Sequence, residues 1–396
     1  MLKRKISLVG VCLLCIVGIC FGFWYQKEKA TEEQMQEVET EVIFIAVDSL
    51  RFERISKNEI GLFWDDKQDV LVDTYIVKKR AAIEGIGTSE WQTIDTIKSD
   101  GAIDNKEWSI IDTLAEASPQ QFEYRVDVKL AITEAVFEPK EGTSILASNV
   151  KICIDPGHFD KPGEVTEADE YAYVEGNFML EVALELKERL RTQYGIDACL
   201  TRETDVIELD GYCNEELDSA HISLRGEYAK EEDCNLFVSL HTNSNAENAN
   251  GYDTFFQPIA INKPIIILNT YGLETEHGIK AANAIGVKLA SVNFELGLSG
   301  SDTFHEVTRE NISEWKQDYN DGLDEIGTVV IRTGKKNPDY YGVLRGATNV
   351  EIPGIIIEHG YHSVAEVRQA AAVGDLKEVW ANADACGIAY GFGFTR

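Results

Sequence analysis

Two histidines and two glutamates stand where the local sequence would present them to a ligand, and their chemistry is metal binding and proton transfer. His158 closes the run 150–158, Val-Lys-Ile-Cys-Ile-Asp-Pro-Gly-His. Val150, Ile152 and Ile154 are β-branched and Asp-Pro-Gly follows, so a short strand is expected to stop there: proline cannot donate to a sheet ladder, and glycine permits a tight turn. His241 ends the apolar run 235–240, Asn-Leu-Phe-Val-Ser-Leu, and is followed by the polar Thr242, Asn243, Ser244 and Asn245. Glu358 ends the run Ile355, Ile356, Ile357, ahead of the loop-like His359, Gly360, Tyr361 and His362. In open α/β sheets, ligands bind beyond the carboxyl ends of the strands. Three buried strands thus each deliver one metal-capable or proton-transferring side chain to the same edge. Glu175 opens a helix running to about Arg191, with Phe178, Val182, Leu186 and Leu190 on one face at four-residue steps. Taken alone, a carboxylate in a first helical turn is the ordinary partner of the helix dipole.

Strand and helix patterns alternate around these positions. Strands are predicted at 198–201, 235–240, 254–256 and 355–357, and helices at 224–230 and 278–290. The alternation predicts an α/β fold: an open, twisted, mostly parallel sheet with helices on both faces. The span 301–327 includes a polar, helix-like piece at 307–319, read as an element inserted beside the cleft or as an ordinary surface helix. His221, His277, His305, His359 and His362 lie on polar segments and read as surface or locally bonded residues.

Read together, 154–158 (Ile-Asp-Pro-Gly-His), Glu175, 200–202 (Leu-Thr-Arg), Leu224-Arg225, 236–241 with Asn243, 343–345 (Val-Leu-Arg), Ile357-Glu358 and Gly360-Tyr361 make the second half resemble the zinc-dependent N-acetylmuramoyl-L-alanine amidases of the amidase 3 family. The resemblance runs in the family's order from about Val150 to the carboxyl end. It implies Zn²⁺ as cofactor, His158, Glu175 and His241 as its ligands, and Glu358 as the catalytic acid/base. Two imidazoles and one carboxylate would leave a tetrahedral Zn²⁺ one open position, and a nearby carboxylate could take a proton from water and return one to the leaving amine. The substrate implied is peptidoglycan, a muramyl peptide. The chain departs from the family pattern after His158, where Phe159, Asp160, Lys161, Pro162 and Gly163 stand in place of Gly-Gly and an acidic residue, and at His359, where a small or apolar residue is common. Arg202 and Arg345 could reach carboxylates of a peptide stem; structural salt bridges are the plainer expectation.

The rest of the 396 residues suggests how such a domain is delivered. Lys3, Arg4 and Lys5 precede an uncharged apolar run, 6–25, ending in Phe23, Trp24 and Tyr25. At 1.5 Å per residue it is about long enough to cross a bilayer of roughly 30 Å, the basic flank predicts a cytoplasmic amino terminus, and no small-x-small cleavage pattern follows. Residues 1–25 are therefore expected to be an uncleaved transmembrane anchor in the cell membrane, with everything after Gln26 outside the cell facing the wall. Residues 26–41 read as a polar stalk. Residues 42–137 carry short alternating strands at 60–64, 74–77, 91–94, 108–111 and 122–128, which predict an all-β sandwich. Trp64 on an early strand and Tyr124-Arg125-Val126 on a late one make it resemble a fibronectin type III domain, which implies a spacer or a protein- or glycan-binding module whose partner the residues do not name. Residues 138–149 are expected to be the linker and 150–396 the catalytic domain.

Composition limits the alternatives. A formal net charge of -31, from 37 Lys+Arg against 68 Asp+Glu, repels phosphate backbones and excludes nucleic acid as a natural partner. Cys12, Cys15 and Cys20 fall in the anchor, and Cys153, Cys199, Cys213, Cys234 and Cys386 are odd in number without Cys-x-x-Cys spacing, which is neither a disulfide framework nor a thiolate zinc site. Cys153, Cys199 and Cys234 are expected to be buried thiols. Two other functions remain open at this stage: a non-catalytic wall-binding or assembly protein on the same fold, and a zinc peptidase acting on stem peptides.

Overall fold

Short alternating runs fold the amino-terminal part into antiparallel strands. The computed structural model describes residues 49–66, 72–82, 89–99, 106–130, 136–137, 144–159, 171–244, 262–314, 316–318, 327–334 and 337–394. Its strands here are β1 (Arg51–Ser56), β2 (Glu59–Asp66), β3 (Val72–Ala81), β4 (Gln92–Lys98), β5 (Lys106–Thr113), β6 (Gln121–Leu130), β7 (Val136–Phe137) and β8 (Ile145–Ser148). One sheet runs β1-β2-β5; the other runs β4-β3-β6-β7, with β8 paired to β6. Both sheets feed one core: Leu62, Trp64 and Trp108 from the first meet Tyr75, Tyr124 and Val126 from the second. Trp64 and Trp108 are register partners, and Tyr75 packs edge-on to Trp64 at 5.7 Å between ring centroids.

The stretch 138–149, expected to be a linker, is in its latter part a strand. Ile145, Leu146 and Ala147 are apolar and complete the edge of β6, in register from Tyr124↔Ile145 to Gln121↔Ser148. Only Asn149 and Val150 then separate β8 from the first strand of the next sheet, and the Asn149 amide donates to the carbonyls of Lys57 and Ser118 at 2.7 and 2.9 Å. Further bonds tie the two parts together. Arg54, its side chain 1% exposed, pairs with Asp233 at 2.9 Å, and Arg191 Nη2 donates to the Phe52 carbonyl at 2.6 Å.

The second part contains β9 (Lys151–Pro156), α1 (Glu175–Tyr194), β10 (Asp197–Leu200), the two-residue strands β11 (Glu208–Leu209) and β12 (Tyr212–Cys213), α2 (Asn214–Ala220), α3 (Ser223–Glu231), β13 (Leu236–Asn243), β14 (Ile265–Leu268), α4 (Glu276–Glu295), β15 (Lys316–Asp318), β16 (Thr328–Thr333), α5 (Gly342–Asn349), β17 (Gly354–Tyr361), α6 (Ala365–Val373) and α7 (Leu376–Gly391). The main sheet has the order β10-β9-β13-β17-β14-β16-β15. It is mixed: β14 lies antiparallel to β17, and the other neighbours are parallel. Consecutive rather than alternate residues are buried in β9, β13, β14 and β17, as expected when both faces of a sheet are covered. Helices α1, α4 and α7 pack together, and α3 packs on α5.

Two expectations about this part change. The helix predicted at 307–319 does not form among its described residues; a 3₁₀ turn, Ile312–Glu314, and the edge strand β15 occupy the place. Asn311 explains part of this, because its side-chain oxygen accepts from the Thr308 N–H at 2.7 Å and closes a local turn that competes with helix. The strands bearing His241 and Glu358 also do not stop at those residues but run on to Asn243 and Tyr361. The predicted anchor, the stalk and the strand at 254–256 lie outside the described residues. Among those described, no helix is long and apolar enough to cross a membrane.

Candidate metal centre

At the end of β9 the backbone makes a turn that sequence alone would not specify. His158 sits at φ 58°, in the left-handed region that a non-glycine residue occupies only when its surroundings impose it. Two arginines do so. Arg225 Nη2 donates to the His158 carbonyl at 2.9 Å, and Arg202 Nη2 donates to the carbonyls of Gly157 and Gly176 at 3.2 and 2.6 Å. Arg202 thereby fastens the His158 loop to the first turn of α1, where Glu175 lies. It holds backbone carbonyls rather than the carboxylate expected of it, and Arg345 likewise donates to the carbonyls of Asp339 and Tyr340. Gly157 is needed for clearance, since a Cβ there would come within 2.4 Å of the His241 ring.

The aspartate of the Asp-Pro-Gly-His run does structural work. Asp155 is fully buried and accepts from Thr201 Oγ1 at 2.5 Å, Ser239 Oγ at 2.7 Å and Arg225 Nη1 at 2.9 Å. Burial alone would raise its pKa, but Arg225 and the two hydroxyls hold it below the ordinary range. Ser239 spends its proton on Asp155, so its oxygen accepts from His241 Nε2–H at 3.2 Å. That orients the His241 ring and turns Nδ1 toward Glu175, where it can carry a proton to the carboxylate or, neutral, offer a lone pair to a metal ion.

His158, Glu175 and His241 come together there, each offering one donor atom within 4.8 Å of the others. His241 Nδ1 stands 3.1 Å from Glu175 Oε1, and His158 Nε2 stands 3.6 Å from Glu175 Oε2. A tetrahedral ion with bonds of about 2.1 Å separates its ligand atoms by roughly 3.4 Å, and the two spacings, each to a different oxygen of Glu175, are of that size. A lone pair facing a carboxylate at 3.1 Å needs a cation between them, either a proton or a metal ion. The charges agree. Burial would raise Glu175, but the His241 hydrogen bond and the nearby His158, His241 and His362 hold it down at about 2. Burial lowers His158, which suits a neutral ligand.

Glu358 is the register partner of His241 across β13 and β17, so both side chains leave the same face of the sheet about 5 Å apart. The ladder shifts register between His241 and Asn243, a bulge of the kind found beside active sites. Glu358 Oε2 is buried without a hydrogen-bond partner. Burial, with some help from the Glu175 charge, lifts the Glu358 pKa to about 7 although His241 pulls the other way. A carboxyl group so placed can hold or release a proton near neutrality.

Sequence reasoning missed several residues that shape this site. Thr242 donates its N–H to Glu175 Oε1 at 3.0 Å, and its hydroxyl contacts Tyr173 OH at 3.0 Å and His362 Nδ1 at 3.1 Å. His362 stacks on Tyr173 and lies 3.9 Å from Glu175 Oε2. Behind the site, His359 and Asp384 form a pair with both side chains 0% exposed. His359 Nδ1 meets the His241 carbonyl at 2.9 Å, Nε2 meets Asp384 Oδ2 at 2.8 Å, and the ring stacks on Trp380. The signal available was His359 itself, a basic side chain beside an apolar strand that demands a buried partner.

Comparison with known proteins follows the same division of the chain. No curated protein matches it at a significant level. Among solved structures it is similar to Cwp6 from Clostridium difficile, with 18% identity, a TM-score of 0.42, and coverage of 61% of this chain and 29% of that one. It is similar to the catalytic domain of CwlV, an N-acetylmuramoyl-L-alanine amidase from Bacillus (Paenibacillus) polymyxa, with 19% identity, a TM-score of 0.41, and coverage of 62% and 99%. For AmiC2 of Nostoc punctiforme, also an N-acetylmuramoyl-L-alanine amidase, the figures are 20% identity, 0.38, 62% and 97%. The chain spans less than a third of the length of Cwp6. Residues 152–390, more than half of the chain and the span within which His158, Glu175, His241 and Glu358 lie, match the profile of one family, so the chain belongs to the N-acetylmuramoyl-L-alanine amidases of the amidase 3 family.

Proposed function

We propose that the chain is a zinc amidase that hydrolyses the amide between N-acetylmuramic acid and L-alanine in peptidoglycan. Family membership supports the bond and the substrate. The observation that carries the chemistry is the convergence of two imidazole nitrogens and one carboxylate oxygen within 4.8 Å, beside a buried carboxyl with an unpartnered oxygen. His158, Glu175 and His241 would hold the ion, which when bound supplies Lewis acidity to polarise the scissile carbonyl and acidify the attacking water. Glu358 takes the proton of that water, helped by a pKa near neutrality, and then delivers it to the leaving nitrogen. Ser239 and Asp155 keep the His241 ring in one orientation through both steps. The intact Glu358 favours catalysis over a wall-binding role, since a pure binder has no use for a base at this place.

The location is part of the same reading. The apolar run 6–25 with its basic flank supports a single-pass anchor and an outward-facing enzyme. The two-sheet β region resembles fibronectin type III in its Trp64 and Tyr124 strands and would hold the catalytic domain at a set distance. The test of the metal assignment is zinc content: the full chain should copurify with close to one zinc per molecule, and His158→Ala and His241→Ala should each lose it. Full zinc occupancy in both variants would refute the ligand set.

A further inference from the structure

Three of the five described cysteines gather at one end of the sheet, away from the metal centre. Cys153 and Cys199 are register partners on the parallel strands β9 and β10. Cys234 lies in the turn just before β13, with its N–H bonded to the Ala229 carbonyl at 2.8 Å. Cys199 Sγ and Cys234 Sγ are 3.5 Å apart, and all three thiols are free. Cys199 is part-exposed and Cys153 and Cys234 are buried. The ammonium group of Lys151 borders the cluster, paired with Glu232 at 2.6 Å.

We propose that Cys199 and Cys234 form a disulfide-accepting pair, a site of covalent oxidation by a disulfide-class oxidant. The step is two successive exchanges. The Cys199 thiolate, the accessible one, attacks a sulfur of the oxidant R–S–S–R and expels one R–S⁻. The Cys234 thiolate then attacks the Cys199 sulfur and expels the second R–S⁻. Two electrons pass from the two thiols to the oxidant, the two thiol protons leave to solvent, and one S–S bond is formed for the one broken. Closure shortens the sulfur separation by about 1.5 Å. Hydrogen bonds from Cys153 and Cys234, opposed by burial and reinforced by Lys151, favour the thiolate at Cys199, so the accessible sulfur is also the nucleophile.

The bridge would close the segment between β10 and β13, which carries Arg202 and Arg225. Those two side chains hold the carbonyls of Gly157, His158 and Gly176, so oxidation far from the metal centre would restrain the loop that positions His158. The active site itself need not change.

Peptide mapping decides the matter. The full chain, purified without reductant, is incubated with oxidised glutathione, and remaining thiols are alkylated before digestion. The expected product is a peptide pair joined through Cys199 and Cys234 with the mass of both minus two hydrogens, while the exposed Cys213 takes a glutathione adduct. Oxidation should raise Tm by about 5 °C, the scale of a single loop-closing disulfide in a chain of this size. Cys153→Ala should keep the bridge. Cys234→Ala should instead trap glutathione on Cys199 and show no rise in Tm. Full alkylation of Cys199 and Cys234 in the natural chain, or a bridge from Cys153 to Cys199, overturns the proposal.

Discussion

Glu358→Gln should do two opposite things, and both follow from one buried oxygen. In the chain stripped of metal, burial raises the Glu358 pKa from 4.5 to about 7, which corresponds to about 3 kcal/mol favouring the neutral acid. The sign follows from proton counting. Below about pH 4.3 the carboxyl is protonated in both folded and unfolded chains and contributes nothing. As pH rises toward 7 the unfolded chain releases this proton while the folded chain keeps it, so stability falls. Above 7 both forms are ionised and the full penalty remains. Glutamine has similar size and no charge, so Glu358→Gln should leave metal-free stability nearly unchanged at pH 4 and raise it by about 3 kcal/mol at pH 8. The same substitution should lower turnover of the zinc-loaded chain by at least about 10²-fold while leaving zinc content intact. The assays are chemical denaturation of chelated protein across that pH range, zinc analysis, and peptide release from peptidoglycan. A variant that is less stable than the parent at pH 8 would refute the assigned environment. Parental turnover with zinc retained would refute the assigned role.

Other expectations test the surroundings of the site. Asp384→Asn removes the charge paired with buried His359 behind the His241 carbonyl; it should destabilise the fold by about 3 kcal/mol and weaken zinc binding about 10-fold or more, read by denaturation and by competition with a chelator. Unchanged zinc affinity would mean that the pair serves only the core. Protease added to intact wall-stripped cells should digest the region after Gln26; its protection would contradict the outward orientation.

How much of this was legible depended on whether a residue's role is carried by local pattern or by distant partners. The strand of Ile152 and Ile154, the helix opened by Glu175 and the run before His241 were readable because apolar periodicity and Pro-Gly punctuation act over a few residues. The continuation of β13 and β17 past His241 and Glu358 was not, because a polar residue reads as a strand's end unless the neighbouring ladder is known, and here each strand supplies the other's ladder. β14 is a plain apolar run, Ile265–Leu268, and its antiparallel placement against β17 depends on sheet topology that periodicity does not encode. The linker was misjudged at Ile145–Ser148 for a related reason: four residues are too few to display alternation, and only the free edge of β6 makes them a strand.

Within the site, His158, Glu175, His241 and Glu358, to which the proposed chemistry is assigned, were visible by type and place, whereas their supports were hidden. Asp155 looked like turn punctuation and is the buried anchor of Thr201, Ser239 and Arg225. His362 looked like a loop residue and lies 3.9 Å from Glu175. Such roles come from convergence of segments far apart in the chain, the nearest of these pairs, Asp155 and Thr201, being separated by 46 positions, which no local window contains.

The central claim is the bond that is cut. Peptidoglycan incubated with the zinc-loaded full chain and analysed by mass spectrometry should release free stem peptides beginning with L-alanine, leaving glycan strands with bare lactyl carboxylates. Stem peptides shortened internally, with L-alanine still attached to muramic acid, would instead show a peptidase, and an unaltered muropeptide profile from zinc-loaded protein would contradict catalysis altogether.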